Sequence, residues 1–130
     1  MIAQEYIKWD QYVRCMCLGQ YDVLPMPYDP VNRKYIADDG YLSPQLRQRI
    51  TDDSVRLVKA LGYDMNTVEW AVRDGVPYAI DFMNPAPDMD VNSLTQPYFD
   101  WVVKGMADLV IDRALHPRPQ LAEMGWSHLF

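Results

Sequence analysis

Two short stretches hold the side chains best suited to chemistry, Val68-Glu69-Trp70 and Ile80-Asp81-Phe82-Met83-Asn84, with Asp74-Gly75-Val76 between them. If residues 74–76 form a three-residue loop, Arg73 faces Pro77 and Glu69 faces Asp81 across a hairpin. Side chains opposed in this way have Cβ atoms about 5 Å apart, and like charges at that distance are destabilising. A divalent cation between them would remove the conflict. Two carboxylates with an Asn amide nearby are the hard oxygen donors that suit Mg²⁺. Two other arrangements stay open. A two-residue loop would offset the register by one and put the acids on opposite faces, and both acids could simply be solvated on an exposed sheet.

The remaining chemistry-bearing residues are sparse. Cys15 and Cys17 form a C-x-C pair, with thiols on one face of a strand. The histidines, His116 and His128, lie far down the chain, so neither a metal cluster nor a Cys/His nucleophile is supported, and the thiols read as small buried side chains in a reduced setting. There is no Gly-x-Gly-x-x-Gly, no Gly-Lys-Ser/Thr loop and no Gly-x-Ser-x-Gly elbow.

These residues must be held by one domain. The chain has 130 residues, 49% of them hydrophobic and 23% charged, which suits a globular core. Lys+Arg number 12 against Asp+Glu 18, a net charge of −6, which argues against nucleic acid or an anionic membrane as partner. No apolar run exceeds four residues, Cys15 to Leu18, so no transmembrane segment or secretory leader is expected, and a cytoplasmic setting fits.

The elements follow from pattern. Strand formers from Tyr12 to Leu18 meet a turn at Gly19-Gln20-Tyr21-Asp22, and Val23 to Tyr28 resumes as a strand that Pro25 and Pro27 push to an edge. Ser43 with Pro44 reads as a helix start, Thr51 as a second cap, and Gly62 as the stop. Thr67 to Arg73 and Pro77 to Met83 form the second hairpin. Tyr98, Val102, Met106, Leu109 and Val110 form an apolar stripe on a helix from about Pro97 to Arg113. The order β-β-α-β-β-α predicts an α+β fold, an antiparallel sheet with helices packed on one face. The expected core is Val13, Cys15, Val58, Leu61, Ala71, Ile80, Val102, Met106 and Leu109. Residues 1–114 make the domain and 115–130 an irregular tail.

Glu69, then Asp81 across a hairpin, then Asn84 before Pro85 and Pro87, resembles the metal-binding end of the ATP-grasp superfamily. Gln4-Glu5-Tyr6-Ile7-Lys8, followed by Val13-Arg14-Cys15 and Gly19, is similar to the linker and next strand of the subgroup that glutamylates a ribosomal protein. The helix from Thr51 to Gly62 lies between these blocks, as in that family, and the likeness runs from about Gln4 to Arg113.

The resemblance implies an ATP-dependent carboxylate–amine ligase acting through an acyl phosphate, with ATP and Mg²⁺ as cofactors and small-molecule or peptide carboxylates and amines as substrates. Glu5, Tyr6 and Ile7 match the hinge that holds adenine through backbone groups, with Lys8 beside it. Glu69, Asp81 and Asn84 match the Mg²⁺ ligands, and Arg33 is the candidate arginine near the phosphates. The chain departs from the pattern in three ways. Asp81 and Asn84 are three residues apart where two is usual, a difference that a bulge could absorb. The acid that contacts ribose is replaced by Tyr12, with Asp10 and Gln11 as nearby substitutes. The family's N-terminal half, which carries a phosphate-binding lysine and a glycine-rich loop, is absent. The chain therefore reads as the C-terminal half of the domain, inactive alone and prone to associate with a second copy or with that half. The alternative is a non-catalytic ATP-grasp-like binding or assembly module.

Overall fold

The computed structural model describes residues 3–38 and 40–117. Five strands form one sheet: β1 (Gln11–Leu18), β2 (Asp22–Asp29), β3 (Lys34–Tyr35), β4 (Met65–Arg73) and β5 (Val76–Asn84). Their order is β3-β2-β1-β4-β5, and every neighbouring pair is antiparallel. Three helices accompany them: α1 (Pro44–Leu61), α2 (Val91–Leu94) and α3 (Gln96–Leu115). The α+β class, the antiparallel sheet and a helix layer against one face are as expected. No helix among the described residues is long and apolar enough to cross a membrane.

Alternation along β1 and β4 divides the core. Val13, Cys15, Cys17, Val68, Trp70 and Val72 point to α1 and pack with Ile50 and Val58. Met16 and Leu18 point the other way, where Met26, Leu94, Val102 and Leu109 join them at one end of the sheet. A Cβ on Gly105 of α3 would lie 2.7 Å from Leu18 Cδ1, so the missing side chain sets how closely that helix approaches. Arg113 fixes the helix's far end through Asp64, at 3.0 Å. Among the described residues no helix covers the rest of this second face, around Tyr12, Arg14, Glu69 and Asp81, and we call it the open face.

Several expectations are refined. Ser43 caps α1, its Oγ accepting from Leu46 N at 3.2 Å, and Gly62 ends the helix at φ 76°. Thr51 caps nothing. Its hydroxyl donates back to the Arg47 carbonyl at 2.9 Å, and one continuous helix runs through it. Of the expected core, Val13, Cys15, Val58, Ala71, Val102 and Leu109 are buried. Leu61, Ile80 and Met106 are half-buried, and Val110 is 60% exposed on the outer side of α3. Burial pushes the Cys17 thiol up to about 12 and Cys15 further still, so neither is a thiolate at neutral pH. The short β3 and α2 had no pattern long enough to announce them. The expected irregular tail lies, from residue 118, outside the described residues.

Candidate functional site

The second hairpin turns through two residues. Arg73 pairs with Val76, and both Asp74 (φ 52°) and Gly75 (φ 73°) take the positive φ that a type I′ turn requires. A regular ladder from such a turn would have separated Glu69 from Asp81. Instead Trp70 pairs with Ala79 while Glu69 pairs with Asp81, so Ile80 is an extra residue. This bulge restores the opposition of the two acids by a different route from the three-residue loop expected above. A second register shift brings Asn84 opposite Thr67, taking up the extra residue between Asp81 and Asn84.

The like-charge conflict is met from the other side. Arg14 lies opposite Glu69 on β1, with its Nε 2.9 Å from Glu69 Oε1. The Nε hydrogen points off the carboxylate, so this is an ion pair more than an aligned hydrogen bond. Its guanidinium carbon sits 5.0 Å from the centre of the Tyr28 ring, and Nη1 donates to the Tyr35 hydroxyl at 3.3 Å. Burial works against the arginine's charge, but Tyr35, Glu69 and Tyr28 outweigh it and hold the guanidinium above its ordinary value. The other oxygen of Glu69 accepts from the Tyr12 hydroxyl at 2.5 Å. Burial, with that hydrogen bond and the Glu69 charge, keeps the phenol protonated far above its usual range. Asp81 is exposed, and its nearest partner is the Met83 N–H at 3.5 Å.

Asn66, fully buried, was not anticipated. Its Nδ2 donates to the Phe82 carbonyl at 2.8 Å, and its Oδ1 accepts from the Asn84 N–H at 2.8 Å. One amide thus supplies both bonds where β5 slips out of register. A strand-like position with a polar residue at its start was the only sequence signal. Asn66→Ala leaves the N–H of Asn84 and the carbonyl of Phe82, both half-buried, without this partner, at up to about 1–3 kcal/mol each. We expect a loss of about 2–4 kcal/mol by urea denaturation. A loss under about 0.5 kcal/mol would mean that water replaces the amide.

Beside the acids lies a cleft of ≈180 Å³ between the N-terminal segment and the sheet, lined by Glu5, Tyr6, Ile7, Tyr12, Ala71 and Ile80 among others. The three expected hinge residues, Glu5, Tyr6 and Ile7, line it, and Lys8 beside them does not. Trp9 lines it too, edge-on to Tyr12 at 5.5 Å. Asp10 and Gln11 are committed elsewhere. Asp10 accepts from the Asp74 N–H at 2.9 Å, and Gln11 donates to the Tyr41 carbonyl. Arg33 sits in the exposed turn between β2 and β3, at φ 55°, on the outer side of the sheet.

Among the described residues no group of three or more His, Cys, Asp or Glu comes together. A cation at Glu69 and Asp81 would therefore have two carboxylates and an amide from the protein, and would need water or phosphate for the rest. Such a donor set fits Mg²⁺, which keeps several waters and is held by one or two carboxylates plus phosphates.

Comparison with known proteins gives the fold its context. No protein-family model matches the chain. Human mitochondrial pyruvate carboxylase is 34% identical over 92 residues, covering 62% of this chain and 8% of that protein. A crystal structure of D-alanine–D-alanine ligase from Bacillus anthracis complexed with ATP superposes with a TM-score of 0.63 at 25% identity. It covers 85% of this chain, which spans 38% of the ligase. A second structure of the Bacillus anthracis ligase gives 0.58 at 23% identity, over 85% of this chain and 40% of that one. With its five-stranded antiparallel sheet and the strand pairing described above, the chain has the α+β fold of a subdomain of these ATP-grasp ligases.

Proposed function

We propose that this chain is the ATP- and Mg²⁺-binding part of an ATP-dependent carboxylate–amine ligase that works through an acyl phosphate. The observation that supports this most is the adjacency on one open face of an apolar cleft and an acidic pair. Tyr12 lines the first and hydrogen-bonds the second. The neighbour complexed with ATP supports a nucleotide as the occupant.

In this reading Glu5, Tyr6 and Ile7 hold the base through backbone groups in the cleft, with Lys8 beside it. Glu69, Asp81 and Asn84 hold Mg²⁺. When bound, the metal supplies charge neutralisation for the phosphates as the γ-phosphoryl group moves to a carboxylate. Arg14 already lies at Glu69 and limits how much negative charge accumulates there, while Arg33, in its exposed turn, is the candidate arginine for the phosphates. The carboxylate and the amine that it joins would be small molecules or peptide ends.

A second reading, a non-catalytic module, is favoured by one observation. Glu69 is already neutralised by Arg14 and hydrogen-bonded by Tyr12, so its charge needs no cation. Calorimetric titration of the full chain with ATP and Mg²⁺ separates the two. Saturable binding, weakened tenfold or more by Ile80→Arg, which fills the cleft, supports the ligase part. Absence of saturable binding leaves the module.

A further inference from the structure

We infer that Tyr12 is a positioning residue that couples the cleft to the acidic pair: its hydroxyl holds Glu69 away from a cation until an occupant of the cleft displaces the ring. The inference deepens the nucleotide and metal reading above and rests on it.

The geometry is specific to this site. Both carboxylate oxygens of Glu69 face protein partners, Oε2 the Tyr12 hydroxyl at 2.5 Å and Oε1 the Arg14 Nε at 2.9 Å. Asp81 is exposed and nearly free, its closest hydrogen bond being 3.5 Å long. The two acids are therefore unequally available, and a cation that takes the Glu69 lone pair used by the phenol must displace it. The phenol is also a wall of the cleft. Its ring is buried between Trp9, edge-on at 5.5 Å, and Tyr28 at 6.3 Å, and Trp9 and Tyr12 both line the cavity. A flat occupant packed against these rings acts on the group that holds Glu69.

The size of the effect follows from the bond. A hydrogen bond to a charged group that must be given up lowers a competitor's affinity by roughly ten- to a hundredfold. If the occupant of the cleft releases that bond, it raises cation affinity by the same factor, and the cation raises the occupant's affinity equally. Phosphates that bridge metal and base would also couple the two ligands. Adenosine, which has none, isolates the path through the ring.

The test is Mn²⁺ binding to the full chain, read by electron paramagnetic resonance, with and without adenosine. Adenosine should tighten Mn²⁺ binding to the unmodified chain several-fold. Tyr12→Phe keeps the ring and removes the hydroxyl. It should bind Mn²⁺ about tenfold tighter without adenosine and gain nothing from adding it. Equal Mn²⁺ affinity in the two chains, or adenosine coupling that survives in Tyr12→Phe, overturns the inference. Glu69→Gln tells its failure from that of the metal reading. If this variant loses Mn²⁺ while Tyr12→Phe changes nothing, only the coupling is wrong. If Glu69→Gln binds Mn²⁺ as the unmodified chain does, the metal assignment has failed and the inference with it. A measurement without mutation guards against a misfolded variant: the Tyr12 ring resonances of the unmodified chain should shift as Mg²⁺ is added. Resonances unmoved at saturating Mg²⁺ overturn the inference.

Discussion

If the proposed function holds, Asp81→Asn should cut the kcat/KM of a ligase that contains this chain by about a hundredfold or more and raise the Mg²⁺ concentration needed for half-maximal rate. The fold should be untouched. Asp81 is exposed and bonds only weakly to its own strand, so its loss as a charge should cost no more than about 0.5 kcal/mol of stability. A metal that steadies developing phosphate charge contributes several kcal/mol, and about 3 kcal/mol is already a hundredfold in rate. Steady-state kinetics over a range of Mg²⁺, with a thermal melt as control, checks both halves. Unchanged kcat/KM with saturable MgATP binding would remove Asp81 from the metal site. Glu69 cannot give so clean a result, because Arg14 and Tyr12 both depend on it in the folded chain.

That dependence yields the second large effect. Arg14→Met should destabilise the chain by about 2–3 kcal/mol, and Arg14→Met with Glu69→Met should recover about half of the loss. Breaking a buried ion pair by removing one partner typically costs about 3–5 kcal/mol, because the other charge is left without compensation. The side chains here are 16% and 18% exposed, and Tyr12 still donates to the orphaned carboxylate, so the value should fall below that range. Removing both charges ends the conflict, at the expense of a phenol that loses its acceptor. Urea denaturation of the two singles and the double gives the coupling directly. If Arg14→Met costs under about 0.5 kcal/mol, the pair behaves as a solvated one and Glu69 is free for other partners.

What could be read from the sequence was what short-range pattern dictates. Ser43 and Pro44 opened α1 and Gly62 closed it, because caps act within one turn of the helix. Asp74-Gly75 marked the hairpin, because few residues accept positive φ at both positions. The register beyond that turn could not be read. Neither the bulge at Ile80 nor the slip before Asn84 is flagged by a Gly or Pro in residues 79–84, and together they decide which side chains oppose. The opposition of Glu69 and Asp81 was therefore anticipated on an argument that the turn itself contradicts. The counter-ion shows a different limit. Arg14 meets Glu69 only because β1 lies beside β4, a pairing across 55 residues that no local pattern encodes. Tyr12, read only as a departure from the family's ribose-contacting acid, takes its significance from the same pairing.

Pro25 and Pro27 have a consequence for how the molecule can meet others. They sit at alternate positions of β2, so neither offers an N–H to the outer side of the strand. The carbonyls on that side are occupied as well: Arg47 of α1 donates to that of Pro25 at 3.3 Å, and Ile36 N–H to that of Pro27 at 2.9 Å. Further along, Tyr28 and Asp29 pair with the two residues of β3. A foreign strand arriving here finds no ladder to extend, which protects this border of the sheet from runaway edge-to-edge stacking into fibrils. Among the described residues the long edge of the sheet is β5, at the opposite border.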